Sequence, residues 1–267
     1  MSIQARSAVA PRDRISGAIA ASKSAGQPAI VAFLTAGYPS RERFIEHLRA
    51  VAAGADVVEI GVPFTDPMAD GVTIQRSSQS ALAQGVTLKW ILEALQSAGP
   101  IATPLLLMSY LNPLLAYGFE RLAADSAAAG VCGFIVPDLP FDESEEFRTA
   151  IGPHGLALVQ MATPVTTAAR LAQLGAHSDG FVYAVTMTGT TGRNVAVPHD
   201  VLDYLDRVKR ASRVPVCAGF GIRSHEQVAR LAAHVDGVIV GSALVEVLER
   251  GEDPTAWLRA LRGPAQG

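Results

Sequence analysis

Cysteine, lysine and metal-spaced histidine are all scarce in this chain, and each shortage removes a class of chemistry. Two cysteines, Cys132 and Cys217, in 267 residues are too few for a disulfide framework and suit a reducing compartment. Each reads as a small buried hydrophobe. Only three lysines occur, Lys23, Lys89 and Lys209. A Schiff-base enzyme needs a lysine at the mouth of its site, but Lys23 precedes the first predicted strand and the other two fall in helical stretches. The six histidines, at 47, 154, 177, 199, 225 and 234, stand singly and match no metal-ligand spacing, so no metal site is expected. A net charge of −3 leaves no footprint for nucleic acid or an anionic membrane. No apolar run reaches the ~20 residues that a membrane span requires. Residues 1–27 lack the apolar core and cleavage pattern of a signal peptide and read as an extension followed by a short helix. A cytoplasmic protein is expected.

What the chain does have is a large apolar content, 49% of its residues, arranged in a repeating pattern. Short β-branched or aliphatic runs fall at 29–34, 57–60, 105–108, 134–136, 157–161, 181–185, 214–218 and 238–240. They are nearly continuous rather than alternating, as parallel strands covered by helices should be. Amphipathic stretches separate them, with Ser40, Asp142 and Ser224 placed as caps before 41–53, 143–151 and 225–234. Eight β and α units in alternation predict an α/β fold closed into a single (β/α)8 TIM barrel over residues 1–267.

The second run carries a carboxylate, Glu59, inside Val57-Val-Glu-Ile60. An unpaired charge there is costly to desolvate, so a buried Glu59 should have a raised pKa and could exchange protons near neutrality. A strand-end glutamate facing water, or one paired with an arginine, is the plainer alternative. Asp70 lies farther on, in a loop bounded by Pro63 and Pro67 that also holds Asp66. One carboxylate on a strand and another on its C-terminal loop make a candidate acid–base pair. A second long connection, Thr186-Met-Thr-Gly-Thr-Thr-Gly-Arg-Asn194, follows the sixth run, with Gly189 and Gly192 as candidate hinges for a lid.

The seventh and eighth runs lead into Gly219-Phe-Gly221 and Gly241-Ser242. Barrels bind phosphate between these two loops with backbone N–H groups and a helix N-terminus. Glycine permits the close approach and Ser242 adds a hydroxyl. Gly-Phe-Gly alone could be a tight turn. It is not a dinucleotide fingerprint, because Ser224 stands at the third glycine position. These features point to carboxylate acid–base chemistry on a small phosphorylated molecule.

The acidic segment Val58-Glu-Ile-Gly-Val-Pro-Phe-Thr-Asp-Pro-Met-Ala-Asp-Gly71 resembles the signature of the tryptophan synthase α chains. So do Phe33-Leu-Thr-Ala-Gly-Tyr-Pro39, Tyr110-Leu-Asn-Pro113, Val136-Pro-Asp-Leu-Pro140, Thr190-Thr-Gly192 and the two glycine segments. The resemblance implies an α/β barrel that cleaves indole-3-glycerol phosphate to indole and glyceraldehyde 3-phosphate. By the same resemblance Glu59 moves protons at the indole C3 and the glycerol hydroxyl, and Asp70 holds the indole N–H. Phe33, Tyr110, Ile135, Met161 and Tyr183 match the indole and glycerol pocket. Thr191 and Gly192 match the lid, and Gly219, Phe220, Gly221, Gly241 and Ser242 the phosphate cradle. No cofactor is implied in this chain, and pyridoxal phosphate is expected in a partner β subunit within an α2β2 heterotetramer. A stand-alone lyase releasing free indole from the same substrate is the alternative. Met187, Thr190, Tyr38 and Arg76-Ser-Ser78 depart from the commoner family pattern and bear on lid closure and partner coupling.

Overall fold

The apolar runs become strands, and the stretches between them become helices, in a computed structural model that describes residues 9–186, 199–219 and 221–263. Helix α1 (Pro11–Ser24) comes first, with proline in its opening turn where no N–H partner is lost. The first half then runs β1 (Ala29–Thr35), α2 (Phe44–Ala52), β2 (Val57–Gly61), α3 (Val72–Ala83), α4 (Leu88–Ala98), β3 (Leu105–Met108), α5 (Leu111–Tyr117), α6 (Phe119–Ala128) and β4 (Val131–Ile135). The second half runs α7 (Glu145–Ile151), β5 (Ala157–Ala162), α8 (Ala168–His177), β6 (Val182–Val185), α9 (His199–Ala211), β7 (Val216–Gly219), α10 (His225–Leu231), β8 (Gly237–Val240), α11 (Ser242–Glu249) and α12 (Pro254–Arg262).

The strands pair in sequence order, all parallel, and β8 returns to β1 to close the barrel. This is the (β/α)8 TIM barrel that the alternation predicts. Strand alternation divides the apolar residues into two cores. Ile30, Leu34, Val58 and Ile60 point outward and pack under the helices. Val31, Val57, Leu106, Ile135 and Cys217 point inward and fill the barrel.

Helix α1 plugs the N-terminal end. Ile15 and Ile19 are fully buried against the inward set. Arg12 N–H donates to Gly155 O at 3.0 Å, just before β5. At the other end of α1, Lys23 Nζ donates to the carbonyls of Ala232 and Val235 at 2.6 and 2.9 Å, before β8. Asp56 staples the same face by accepting from Ile30 N–H, Ser22 Oγ and Arg262 Nη2, each at 2.7 Å. With that end filled, the C-terminal mouth is the open end of the barrel among the described residues.

Several boundaries differ from the sequence reading. Strand β4 begins at Val131, not Phe134, because Gly133 continues the strand rather than breaking it. A Cβ at Gly133 would lie 2.5 Å from Ala157 Cβ, so the tight β4–β5 approach selects glycine. Strand β7 starts at Val216 rather than Val214, with proline at 215 just ahead of it. Ser40 does not cap α2, which begins at Phe44 after Arg43. Asp142 sits in a short 3-10 turn, Phe141–Glu143, and pairs with Arg170 at 2.8 Å. Ser224 does precede α10, with Gln227 Oε1 reaching back to its N–H at 3.2 Å, though the helix ends at Leu231.

Candidate active site at the barrel mouth

Alternation on β2 decides where Glu59 points. Val58 and Ile60 face the helices, so Val57, Glu59 and Gly61 face the barrel axis. Glu59 lies in register with Phe33 on β1 and Leu106 on β3. Its exposure is 0%. Among the described residues neither carboxylate oxygen has a hydrogen-bond partner. Burial without compensation raises its pKa to about 8. The two plainer alternatives, a solvated strand end and an arginine pair, are therefore not what the fold builds.

Asp70 approaches from the loop after β2. It is half-buried, and desolvation raises its pKa to about 6 against the opposing effect of the Tyr110 hydroxyl beside it. The same hydroxyl accepts from Ala69 N–H at 2.8 Å, and the Tyr110 ring stacks on Phe64 with centroids 5.1 Å apart. Tyr110 thus anchors the end of the acidic loop. Burial pushes the Tyr110 hydroxyl up to about 12, so it stays a proton donor toward Asp70.

A cavity of about 480 Å³ opens where these residues meet. Glu59, Asp70, Phe33 and Tyr183 line it together with Gly219, Gly221, Gly241 and Ser242. Tyr183 has its pKa driven far up, first by burial and then by the charges of Glu59 and Asp70. Ile74, Met108 and Ile239 add aliphatic wall. Tyr110 borders the adjoining space with Phe33 and Asp70. Ile135 is fully buried in the barrel interior, and Met161 lines a separate cavity of about 250 Å³ beside Arg170. Thr191, Gly192 and Phe220 lie outside the described residues, as do Gly189, Met187 and Thr190.

The glycine end of the cavity owes its shape to missing side chains. A Cβ on Gly219 would fall 2.7 Å from Tyr183 Oη, so only glycine leaves that hydroxyl its place. Helix α11 starts at Ser242 with Gly241 as its N-cap, directing unsatisfied backbone N–H groups at the opening. Thr186 fixes the ends of β6 and β7 by donating Oγ1 to Gly219 O at 2.7 Å.

The sequence reading missed Gly61. A Cβ there would come 2.4 Å from Phe33 Cζ, so this glycine is the floor on which the Phe33 ring rests. The available signal was its spacing, two residues after Glu59 on one strand. Among the described residues no group of three or more His, Cys, Asp or Glu is placed to hold a metal ion. No helix among them is long and apolar enough to cross a membrane.

Comparison with known proteins agrees with this geometry. The family model described as tryptophan synthase alpha chain matches residues 19–262. The tryptophan synthase alpha chain of Nitratidesulfovibrio vulgaris is 43% identical over 249 residues, covering 92% of this chain and 97% of that protein. That of Chloroflexus aggregans is 43% identical over 241 residues, covering 89% and 90%. Among solved structures, Mycobacterium tuberculosis tryptophan synthase superposes with a TM-score of 0.87 at 37% identity, covering 95% of this chain and 99% of that one. The alpha subunit from Legionella pneumophila gives 0.83 at 32% identity, covering 93% and 97%. A barrel closed at one end, with a buried glutamate and a glycine-lined pocket at the other, is thus matched across nearly its whole length, and the chain belongs to the tryptophan synthase alpha chain family.

Proposed function

We propose that Glu59 and Asp70 are the acid–base pair for the reaction of this family, the retro-aldol cleavage of indole-3-glycerol phosphate to indole and glyceraldehyde 3-phosphate. The observation that carries the reading is a partnerless, fully buried Glu59 sharing one cavity with Asp70 and a glycine-lined end. At neutral pH a carboxyl with a pKa near 8 is mostly protonated, so Glu59 can give its proton to the indole C3. Asp70, ionised above about 6, accepts the indole N–H and stabilises the positive charge that develops on the ring. The Glu59 carboxylate then takes the proton of the glycerol hydroxyl next to C3. As that O–H becomes an aldehyde, the carbon–carbon bond breaks and its electron pair returns to the ring. Glu59 ends protonated, as it began, and the indole keeps the proton it received.

Phe33 and Tyr183, with Tyr110 at the edge, supply the flat apolar walls that an indole needs. Gly219, Gly221, Gly241 and Ser242 supply the phosphate end, with Phe220 between them in sequence. Ile135 and Met161 stay in the proposed pocket by family resemblance alone, as do Thr191 and Gly192 in the lid. Residues 1–267 act as one domain in this reading, with 1–27 as an extension and helix.

We infer a β subunit as partner, in an α2β2 assembly in the cytoplasm. Large apolar side chains stand exposed after the C-terminal ends of the strands: Met68 at 90%, Val72 at 78%, Leu115 at 51% and Val165 at 85%. They follow β2, β3 and β5 and suit a protein surface laid over that end of the barrel. Pyridoxal phosphate belongs to that partner. Its Schiff base needs a lysine at the site, whereas Lys23 is held at the closed end, Lys89 pairs with Glu93 at 3.7 Å and Lys209 with Asp236 at 3.1 Å. The test is indole release from indole-3-glycerol phosphate by purified wild type, Glu59→Gln and Asp70→Asn, with the β subunit present. Loss in both variants with retained substrate binding is expected. Turnover in Glu59→Gln above about a tenth of wild type overturns the assignment.

A further inference from the structure

Two glutamates on α11, Glu246 and Glu249, face two polar residues on α3, Thr73 and Arg76, at the same three-residue spacing. Thr73 Oγ1 donates to Glu246 Oε1 at 3.4 Å, and Arg76 Nη2 to Glu249 Oε2 at 2.5 Å. Tyr38, itself buried, joins the second rung beside Arg76 and Glu249. Glu246 also receives a fork from Arg223, with Nη1 to Oε2 at 2.7 Å and Nη2 to Oε1 at 2.9 Å. Such a bidentate pair fixes geometry as well as charge.

These contacts join the two ends of the cavity. Arg223 lies in the loop that carries Gly221. Glu246 is one helical turn beyond Ser242, so the start of α11 and Glu246 move together. Helix α3 begins two residues after Asp70, and Gln75 Nε2 donates to Asp70 O at 3.0 Å. One carboxylate, carried by the phosphate-side helix, therefore touches both the phosphate-side loop and the helix that follows the acidic loop.

We infer that Glu246 is a positioning residue through which occupation of the phosphate end sets the placement of Asp70 at the indole end. The inference rests on the substrate assignment above and adds a coupling between the two ends of that substrate. Coupling of this kind is reciprocal: whatever glycerol 3-phosphate does for indole, indole does for glycerol 3-phosphate.

The experiment uses these two half-ligands, with indole binding measured by calorimetry on the full-length chain with and without glycerol 3-phosphate. In wild type the phosphate is expected to tighten indole binding by about five-fold or more. In Glu246→Gln each half-ligand alone should bind within about two-fold of wild type while the enhancement falls to near unity. With the whole substrate the same variant should lose kcat more than it gains in KM. Arg223→Lys, on an exposed loop that can change without unfolding α11, keeps the charge but not the fork and should lose most of the enhancement. The double variant should lose no more than either single one. Lys89→Ala, which breaks the exposed Lys89–Glu93 pair at 3.7 Å on α4, should keep it all. An undiminished enhancement in both Glu246→Gln and Arg223→Lys overturns the inference. So does its absence from a wild type that binds both half-ligands, while the substrate assignment stands. A wild type that binds neither overturns the substrate assignment and this inference together.

Discussion

At the scale of single residues, the proposed chemistry rests on the separation of two carboxyl pKa values. Asp70 near 6 and Glu59 near 8 leave a window in which one is ionised and the other protonated. kcat/KM is expected to rise as pH passes about 6 and to fall as it passes about 8, and Asp70→Asn should remove the acid limb. A pH profile flat between those limbs and beyond them would refute the division of roles. Glu59→Gln should lower turnover by about 10²–10⁴-fold. The same burial predicts a stability effect whose sign can be worked out. Below the ordinary value of 4.5 the carboxyl is protonated in folded and unfolded chains alike, so no penalty exists. Between 4.5 and about 8 only the unfolded chain ionises, and stability is lost as pH rises. Above about 8 the loss is complete, on the order of a few kcal/mol. Glu59→Gln has no such ionisation, so its stability relative to wild type should increase between about pH 5 and about pH 9 in denaturant melts. A constant difference would mean that Glu59 is not desolvated in solution. The raised pKa was legible from an acid set among β-branched residues. The role of Tyr110 as anchor of Ala69 and neighbour of Asp70 was not, because local sequence carries no sign of which distant hydroxyl meets the loop.

At the scale of elements, the eight strands were legible because parallel strands buried on both faces leave continuous apolar runs. Two strand starts differ from that pattern, one at a glycine and one at a proline. Gly133 reads as a break before the run at 134–136, yet it lies within β4, where Ala157 leaves no room for a Cβ. Such a requirement is tertiary and leaves no local mark. Gly61 presents the same problem within the site. Its missing side chain lets Phe33 lie flat beside Glu59, in register with it across β1 and β2. Gly61→Ala should drive the Phe33 ring into the cavity and raise KM by about ten-fold or more, since overpacking costs on the order of 1–3 kcal/mol. Adding Phe33→Leu should recover part of that loss by freeing the space the new methyl needs. Steady-state kinetics of the single and double variants measure this. If Phe33→Leu gives no recovery, the clash with the ring is not the cause.

At the scale of the whole molecule, α1 plugs one end of the barrel, and the other end carries the proposed chemistry and four of the five large apolar residues that stand exposed among those described. Bond breaking within 480 Å³ at an open mouth needs water kept out. A partner lying across Met68, Val72, Leu115 and Val165 would cover the mouth and hold the acidic loop, from which Asp70 projects. The partner's effect then has a defined size: it can raise turnover only by its preference for the arrangement that aims Asp70 at the indole nitrogen. Preferences of about 1–3 kcal/mol are typical, or about 5- to 150-fold in rate. Titrating the β subunit against indole release should therefore give a saturable rise from a slow basal rate. Leu115→Glu and Val165→Glu lie outside the substrate cavity and should leave the basal rate unchanged. Each should shift the titration midpoint to higher β concentration by about ten-fold, as truncating a buried apolar contact does at an interface. Thr191→Val tests the other loop. If Thr191 ties the lid to Asp66, its loss should lower the plateau and leave the midpoint in place. Full activity with no partner present would refute this account and identify the chain as a stand-alone lyase. Two glutamate variants that titrate like wild type would instead move the docking surface away from these apolar residues.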